Sequence, residues 1–179
     1  KAYAEDADQK GKASFLAQMN NDFTALNVDA TNFIGEEVSP YLQTGIGVKY
    51  PSLEIEEYVE RSQAGFEQWR KVSVEDRAGL LMESLDRISS RFFEIAYATM
   101  HTTGQSFIMS FQASGPHSND RSLEAIAMGV QELNRFPHQA NWSKPMGKFD
   151  LNIKKDWQPV SKGIGLVIGC STFPTWNTI

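Results

Sequence analysis

The feature that most constrains this chain is the run Gly163-Ile164-Gly165-Leu166-Val167-Ile168-Gly169, apolar, β-branched at Val167 and Ile168, and bounded by glycines. Such a run predicts a strand buried on both faces, which is the signature of a parallel sheet. The expected fold class is therefore α/β. Beyond the run, Gly169, Cys170, Ser171 and Thr172 are small residues leading into Phe173-Pro174-Thr175-Trp176-Asn177. In open α/β sheets ligands bind at the carboxyl edge of the strands, so this loop is the first place to look for a site.

Upstream the pattern is helical. Ala13 to Met19, with Phe15, Leu16 and Met19, predicts a short amphipathic helix, and the Asn-, Asp- and Thr-rich stretch from Asn20 to Gly35 predicts a loop. Glu37 to Pro51 reads as an extended connector. After Pro51, Ser52 is the expected N-cap of a helix whose stripe is Ile55, Val59, Ser62, Phe66 and Trp69, with Trp69 in the core. Ser73-Val74-Glu75-Asp76 resembles a capping box. Ala78, Leu81, Leu85, Ile88, Phe92 and Ile95 follow at spacings of three and four, predicting one long helix ended by Gly104. A third helix carries Leu123, Ile126, Ala127, Val130 and Leu133 and closes at Phe136-Pro137. From Met146 to Val160, Phe149, Leu151 and Ile153 alternate with polar residues, which predicts a strand with one wet face.

Composition narrows the function classes. The net charge of -5 and a pI near 5.2 provide no long-range attraction for nucleic acid or anionic lipid. No apolar stretch approaches the roughly 20 residues needed to span a bilayer, and Lys1 to Gln9 is polar, so no membrane association and a cytoplasmic location are expected. Cys170 is the single cysteine and has no internal disulfide partner. A chain of 179 residues is long enough for one domain or part of a larger one. Part of a larger one is the expectation, and Lys1 is not expected to be the encoded start.

Three segments in this order, Ala64-Gly65-Phe66-Glu67-Gln68-Trp69-Arg70, Asp76-Arg77-Ala78-Gly79-Leu80-Leu81 and Thr103-Gly104-Gln105, precede the Ser171-Thr172-Phe173-Pro174 loop. The combination resembles the amino-terminal part of aldehyde dehydrogenases. Gln112-Ala113-Ser114-Gly115-Pro116-His117 and Ile168 to Asn177 resemble the phenylacetic acid degradation branch of that superfamily. The resemblance implies the amino-terminal part of a cofactor-binding domain, mostly helical here and ending in the first strand of a parallel sheet. Its segments would be 1–50, an extended amino-terminal stretch; 51–145, the helical part; 146–162, a strand leading to an oligomerisation sheet; and 163–179, the first strand and its loop. It also implies NAD or NADP bound along Ile168, Gly169, Cys170, Ser171 and Thr172, a homo-oligomer, and as substrate a small aldehyde of the CoA-linked, ring-cleaved kind. The reaction implied is attack by a cysteine on the aldehyde, hydride transfer to the nicotinamide and hydrolysis of the thioester. The nucleophilic cysteine and general-base glutamate of the family would lie beyond this chain, leaving it inactive alone.

Individual residues carry competing readings. Gly163, Gly165 and Gly169 have the spacing G-x-G-x-x-x-G, with the first two ahead of the strand, so they are not a dinucleotide fingerprint and are expected to serve packing. Cys170 has no charged neighbour in sequence to activate it and is expected to be a small buried residue lining the loop. By resemblance Thr172 stands where most aldehyde dehydrogenases have an asparagine that donates to the oxyanion. A threonine hydroxyl is shorter and β-branched, Asn177 offers an amide five residues on, and either is equally readable as a loop side chain satisfied locally. His101, His117 and His138 show no metal-ligand spacing, so no metal is expected. Glu54, Glu56, Glu57 and Glu60 read as a solvated helix face, and Arg135, Lys144, Lys148, Lys154 and Lys155 as ordinary surface that an acidic CoA group would also suit. The expected function is the amino-terminal part of an NAD(P)-dependent aldehyde dehydrogenase. The alternative is a non-catalytic helical interaction or scaffold domain.

Overall fold

A computed structural model describes residues 3–160 and 162–179; Lys1, Ala2 and Ser161, which fall in the polar amino terminus and the expected 146–162 strand segment, lie outside the described residues. Helix α1, Ala7–Gln18, is followed by four short strands, β1 Asn32–Ile34, β2 Val38–Ser39, β3 Thr44–Gly45 and β4 Tyr50–Ser52. These pair antiparallel, β1 with β4 and β2 with β3. Five helices come next: α2 Ile55–Trp69, α3 Val74–Ser89, α4 Phe92–Thr103, α5 Phe107–Ser114 and α6 Pro116–Leu133. A last hairpin joins β5, Gln139–Pro145, to β6, Asp150–Asp156.

Helix α4 is the centre of the packing, with α1 on one side and α5 on the other, while α3 lies along α6. Phe15, Ile46 and Val48 form a buried cluster that ties α1 to the strands. Val74, Ala78 and Leu85 are the buried face of α3, and Phe92 and Ala96 that of α4. Where α5 turns into α6 the chain needs Gly115: a Cβ there would lie 2.6 Å from the Phe111 carbonyl oxygen and 3.2 Å from the Phe92 ring. The helices meet there through small polar residues. Ser110, Ser114 and Ser118 are fully buried, Thr99 Oγ1 donates to Ser114 Oγ at 3.1 Å, and Asn119 Nδ2 donates to the Leu85 carbonyl at 2.9 Å.

The local signals hold where one residue decides them. Ser73 Oγ accepts the Asp76 backbone N–H at 3.0 Å, and Gly104 takes φ +78° at the end of α4. The predicted strand contains β6, whose partner β5 was not anticipated, but every residue of both strands is exposed, which corrects the expectation of a single wet face. Trp142 faces Ile153 across the hairpin, on the same side as Leu151, while the other side carries Asn141, Ser143, Asn152 and Lys154.

Several expectations are corrected. The long helix from Ser73 to Gly104 is two helices, because Ser89 and Ser90 turn their hydroxyls back onto the carbonyls of Asp86 and Arg87, both at 2.7 Å, and Arg91 leaves the helical region at φ -114°, ψ 13°. Ser52 lies in β4, and Glu54 caps α2 without a side-chain hydrogen bond. Trp69 is 39% exposed, since no residue of α2 is buried; it carries the Arg77 guanidinium over its ring at 5.4 Å. Leu166, Val167 and Ile168 form no strand and are exposed. An interior strand needs a neighbour on each edge to take its N–H and C=O groups, and among the described residues no strand pairs with this segment. The three sheets described are all two-stranded and antiparallel, so the expected parallel sheet is not formed by these residues.

Candidate functional site

The loop after Ile168 is held on the helical body from three directions. Gln105, just past the αL glycine of α4, donates its side-chain Nε2–H to the Thr172 carbonyl. Trp176 meets the His117 ring edge-on at 6.3 Å and Phe173 at 5.8 Å. Ile179 lines, together with Leu81, Leu85, Ile126 and Val130, an apolar groove of about 390 Å³ between α3 and α6, and is itself 46% exposed. From Phe173 onward the chain closes on itself, with Thr178 Oγ1 donating to the Pro174 carbonyl at 2.6 Å and the Ile179 N–H to Thr175 at 3.1 Å.

Within the loop the polar groups converge on one sulfur. Thr172 Oγ1 lies 3.1 Å from Cys170 Sγ, and Asn177 Nδ2 donates to it at 2.8 Å. The Thr172 hydroxyl, the Phe173 and Thr172 backbone N–H groups and the Asn177 amide together hold the Cys170 thiol down to about 7. Each stabilises the thiolate more than the thiol. Cys170 is exposed, which corrects the expectation of a buried residue lining the loop. Its environment supplies hydrogen-bond donors in place of the charged neighbour that the sequence lacks.

The residues expected to bind a cofactor, Ile168, Gly169, Cys170, Ser171 and Thr172, are all exposed. Small side chains and open amides at Gly169, Cys170 and Ser171 suit a group that approaches backbone. Packing also constrains the turn, since a Cβ at Gly169 would meet Thr178 Cγ2 at 2.8 Å. Thr172 and Asn177, expected as rival donors, are brought together on Cys170. Gln105 was missed as a site residue: Thr103-Gly104-Gln105 announces a helix end, but nothing local announces a partner 67 residues away. Among the described residues no cluster of three or more His, Cys, Asp or Glu side chains is arranged to hold a metal ion.

No protein-family model matches the sequence, and no curated protein matches it. Among solved structures, an NAD-dependent aldehyde dehydrogenase from Burkholderia multivorans matches with a TM-score of 0.90 and 40% identity over 98% of this chain. The fold is that of part of an aldehyde dehydrogenase. The chain spans 31% of that enzyme's length. The aldehyde dehydrogenase resemblance seen in the motifs thus extends over almost the whole chain, from α1 to the 170–177 loop, and the scaffold reading is not favoured. Among the described residues no helix is long and apolar enough to cross a membrane.

Proposed function

We propose that this chain is the amino-terminal part of an NAD-dependent aldehyde dehydrogenase that oxidises an aldehyde to the acid. The observation that carries the reading is the match at 40% identity and TM-score 0.90 over 98% of the chain. In this reading the exposed backbone from Ile168 to Thr172 forms one wall of the dinucleotide site. When bound, the nicotinamide accepts the hydride. This chain's own contribution is positional: Gly169 keeps the turn tight, Ser171 offers a hydroxyl, and the Thr172 carbonyl is fixed by Gln105. The nucleophile and the general base come from the remainder of the enzyme. The neighbour's cofactor favours NAD over NADP.

The substrate class is a ring-cleaved, CoA-linked aldehyde of phenylacetate catabolism, a reading supported by the motifs at Gln112 to His117 and Ile168 to Asn177. A cytoplasmic homo-oligomer is the expected setting. Thermal unfolding of the full-length protein with and without dinucleotide tests the reading, since a ligand that binds only the folded state raises the midpoint. A rise with NAD is expected. No rise with saturating NAD or NADP removes the proposal.

A further inference from the structure

We propose that Gln105 is a positioning residue for the loop Gly169 to Thr172, fixing through the Thr172 carbonyl the backbone wall that this loop presents to a dinucleotide. The inference rests on the functional reading above and goes beyond it by placing the control of that wall in the connector between α4 and α5.

Tyr41 Oη lies within hydrogen-bond distance of both the Gln105 carbonyl, at 2.8 Å, and the Gly104 carbonyl, at 3.2 Å, so one phenol clamps two successive peptides. The Gln105 N–H is directed at Thr103 Oγ1 at 3.3 Å. Gly104 is in the left-handed region at φ +78°, and a Cβ there would come 3.3 Å from Pro40 Cγ. The peptide that carries Gln105 is thus fixed by the helix end behind it and by the Pro40-Tyr41 turn beside it.

From this fixed root the amide reaches a loop whose own hydrogen bonds, Thr172 with Cys170 and Asn177 with Cys170, stay inside it. The other contacts of the segment with the helices, Trp176 on His117 and Ile179 at the edge of the α3–α6 groove, lie beyond Phe173. Gln105 therefore ties the part of the loop that faces the proposed ligand. Its orientation is set by chemistry: only the NH2 end of the amide has a proton for the Thr172 carbonyl, and the reversed amide would oppose two oxygens. The cost of this arrangement is visible. Gln105 Oε1 is buried and has no hydrogen-bond partner among the described residues. A leucine of similar size would leave no such orphan but would also remove the donor that holds the Thr172 carbonyl. A ligand wall displaced by a fraction of an ångström loses much of its pre-organisation, which is what the tether prevents.

The experiment compares full-length wild type with Gln105→Leu, Gln105→Glu and Gln105→Lys. The first two lack the donor, and the third keeps a long side chain that donates. Two readouts are taken: NAD affinity by fluorescence titration, and the pH profile of iodoacetamide alkylation at the Cys170 peptide by mass spectrometry, which reports the loop without any cofactor. Loss of one hydrogen bond is expected to weaken NAD roughly fivefold in the Leu and Glu variants. Their Cys170 profile should move to higher pH, the melting temperature of Gln105→Leu should stay near wild type, and Gln105→Lys should restore both readouts. Unchanged NAD affinity in Gln105→Leu, with or without a shifted Cys170 profile, overturns the proposal, as does an equal loss in Gln105→Lys. If wild type binds no NAD, the functional reading fails separately, and the Cys170 profile alone decides whether Gln105 positions the loop.

Discussion

Ser39 and His101, 62 residues apart, share a 2.7 Å hydrogen bond with both side chains buried. Ser39 Oγ already accepts the backbone N–H groups of Tyr41, at 3.3 Å, and Leu42, at 3.1 Å. Its proton is left for His101 Nδ1, which assigns the imidazole as neutral with its proton on Nε2. Phe15 of α1 stacks on the ring at 4.9 Å, and Tyr41 meets it edge-on at 5.9 Å. One imidazole thus joins β2, α1 and α4.

That arrangement makes the protein acid-sensitive near neutrality. Burial pushes the His101 pKa down, and the charge of Lys12 acts in the same direction. Above the unfolded value of about 6.5 both states hold the ring neutral and stability is at its plateau. As pH falls below that value the unfolded chain takes up the proton first, so stability declines until the lower, folded pKa is reached. Melting temperatures measured from about pH 8 to about pH 5 should show this fall. His101→Gln, neutral throughout, should lose that component of it; an unchanged slope in the variant would assign the effect elsewhere.

Glu94 governs a different pH range. Burial opposes its ionisation, but hydrogen bonds from Arg91 and Ser14, the Arg91 charge and the Gln18 amide outweigh burial and hold the carboxyl below its ordinary value. Ser14 Oγ donates at 2.9 Å and Arg91 Nε at 3.0 Å, so the carboxylate links α1 to α4. The stabilisation is present above the unfolded value of about 4.3 and is lost as pH falls through the lowered one. Glu94→Ala leaves those donors without their shared acceptor and should cost about 2 kcal/mol at neutral pH, read by urea unfolding. A cost near zero would mean that α1 is held by its apolar face alone.

At Gly11 the backbone of α1 packs directly on that of α4. A Cβ at this position would lie 2.7 Å from the Phe93 carbonyl carbon and 2.8 Å from the Glu94 nitrogen, backbone atoms that cannot swing away. In an exposed helix Gly→Ala stabilises by about 1 kcal/mol. Here the sign should reverse, with Gly11→Ala destabilising by roughly 1–3 kcal/mol through overpacking. Gly65→Ala and Gly79→Ala, where a Cβ would meet nothing within 4 Å, are the controls and should be neutral or stabilising. Equal effects at all three positions would remove the packing argument.

These elements also show which parts of the fold were legible in sequence. The Ser73 cap and the Gly104 stop were readable because each depends on atoms within four residues. The break at Ser90-Arg91 was hidden, since the apolar stripe keeps its period straight through it and only the back-bonded hydroxyls reveal the end. For Leu166 to Ile168 apolarity described what the segment is able to bury, whereas strand formation depends on neighbours that the sequence of the segment does not contain. The site followed the same division. Small residues at 169–172 stood out locally, while Gln105 on Thr172 and Ser39 on His101 are contacts across 67 and 62 residues that no spacing rule encodes.

Cys170 provides the last test, because its chemistry follows from the shape of the loop. The Thr172 hydroxyl is the largest influence holding its pKa to about 7, followed by the Phe173 N–H, with a smaller share from Asn177. A thiol with that pKa is about half ionised at pH 7, against roughly 3% for one at the free value of about 8.5. Thr172→Val keeps the β-branch and removes the donor, so the midpoint of the iodoacetamide pH–rate profile should rise and alkylation at pH 7 should slow several-fold. The rate at high pH, where both thiols are ionised, should stay close to wild type, which separates a pKa effect from altered access. Asn177→Ala should move the midpoint in the same direction by less. A profile for Thr172→Val that overlays wild type would mean that the hydroxyl does not face the sulfur in solution, and the loop geometry around Cys170 would have to be redrawn.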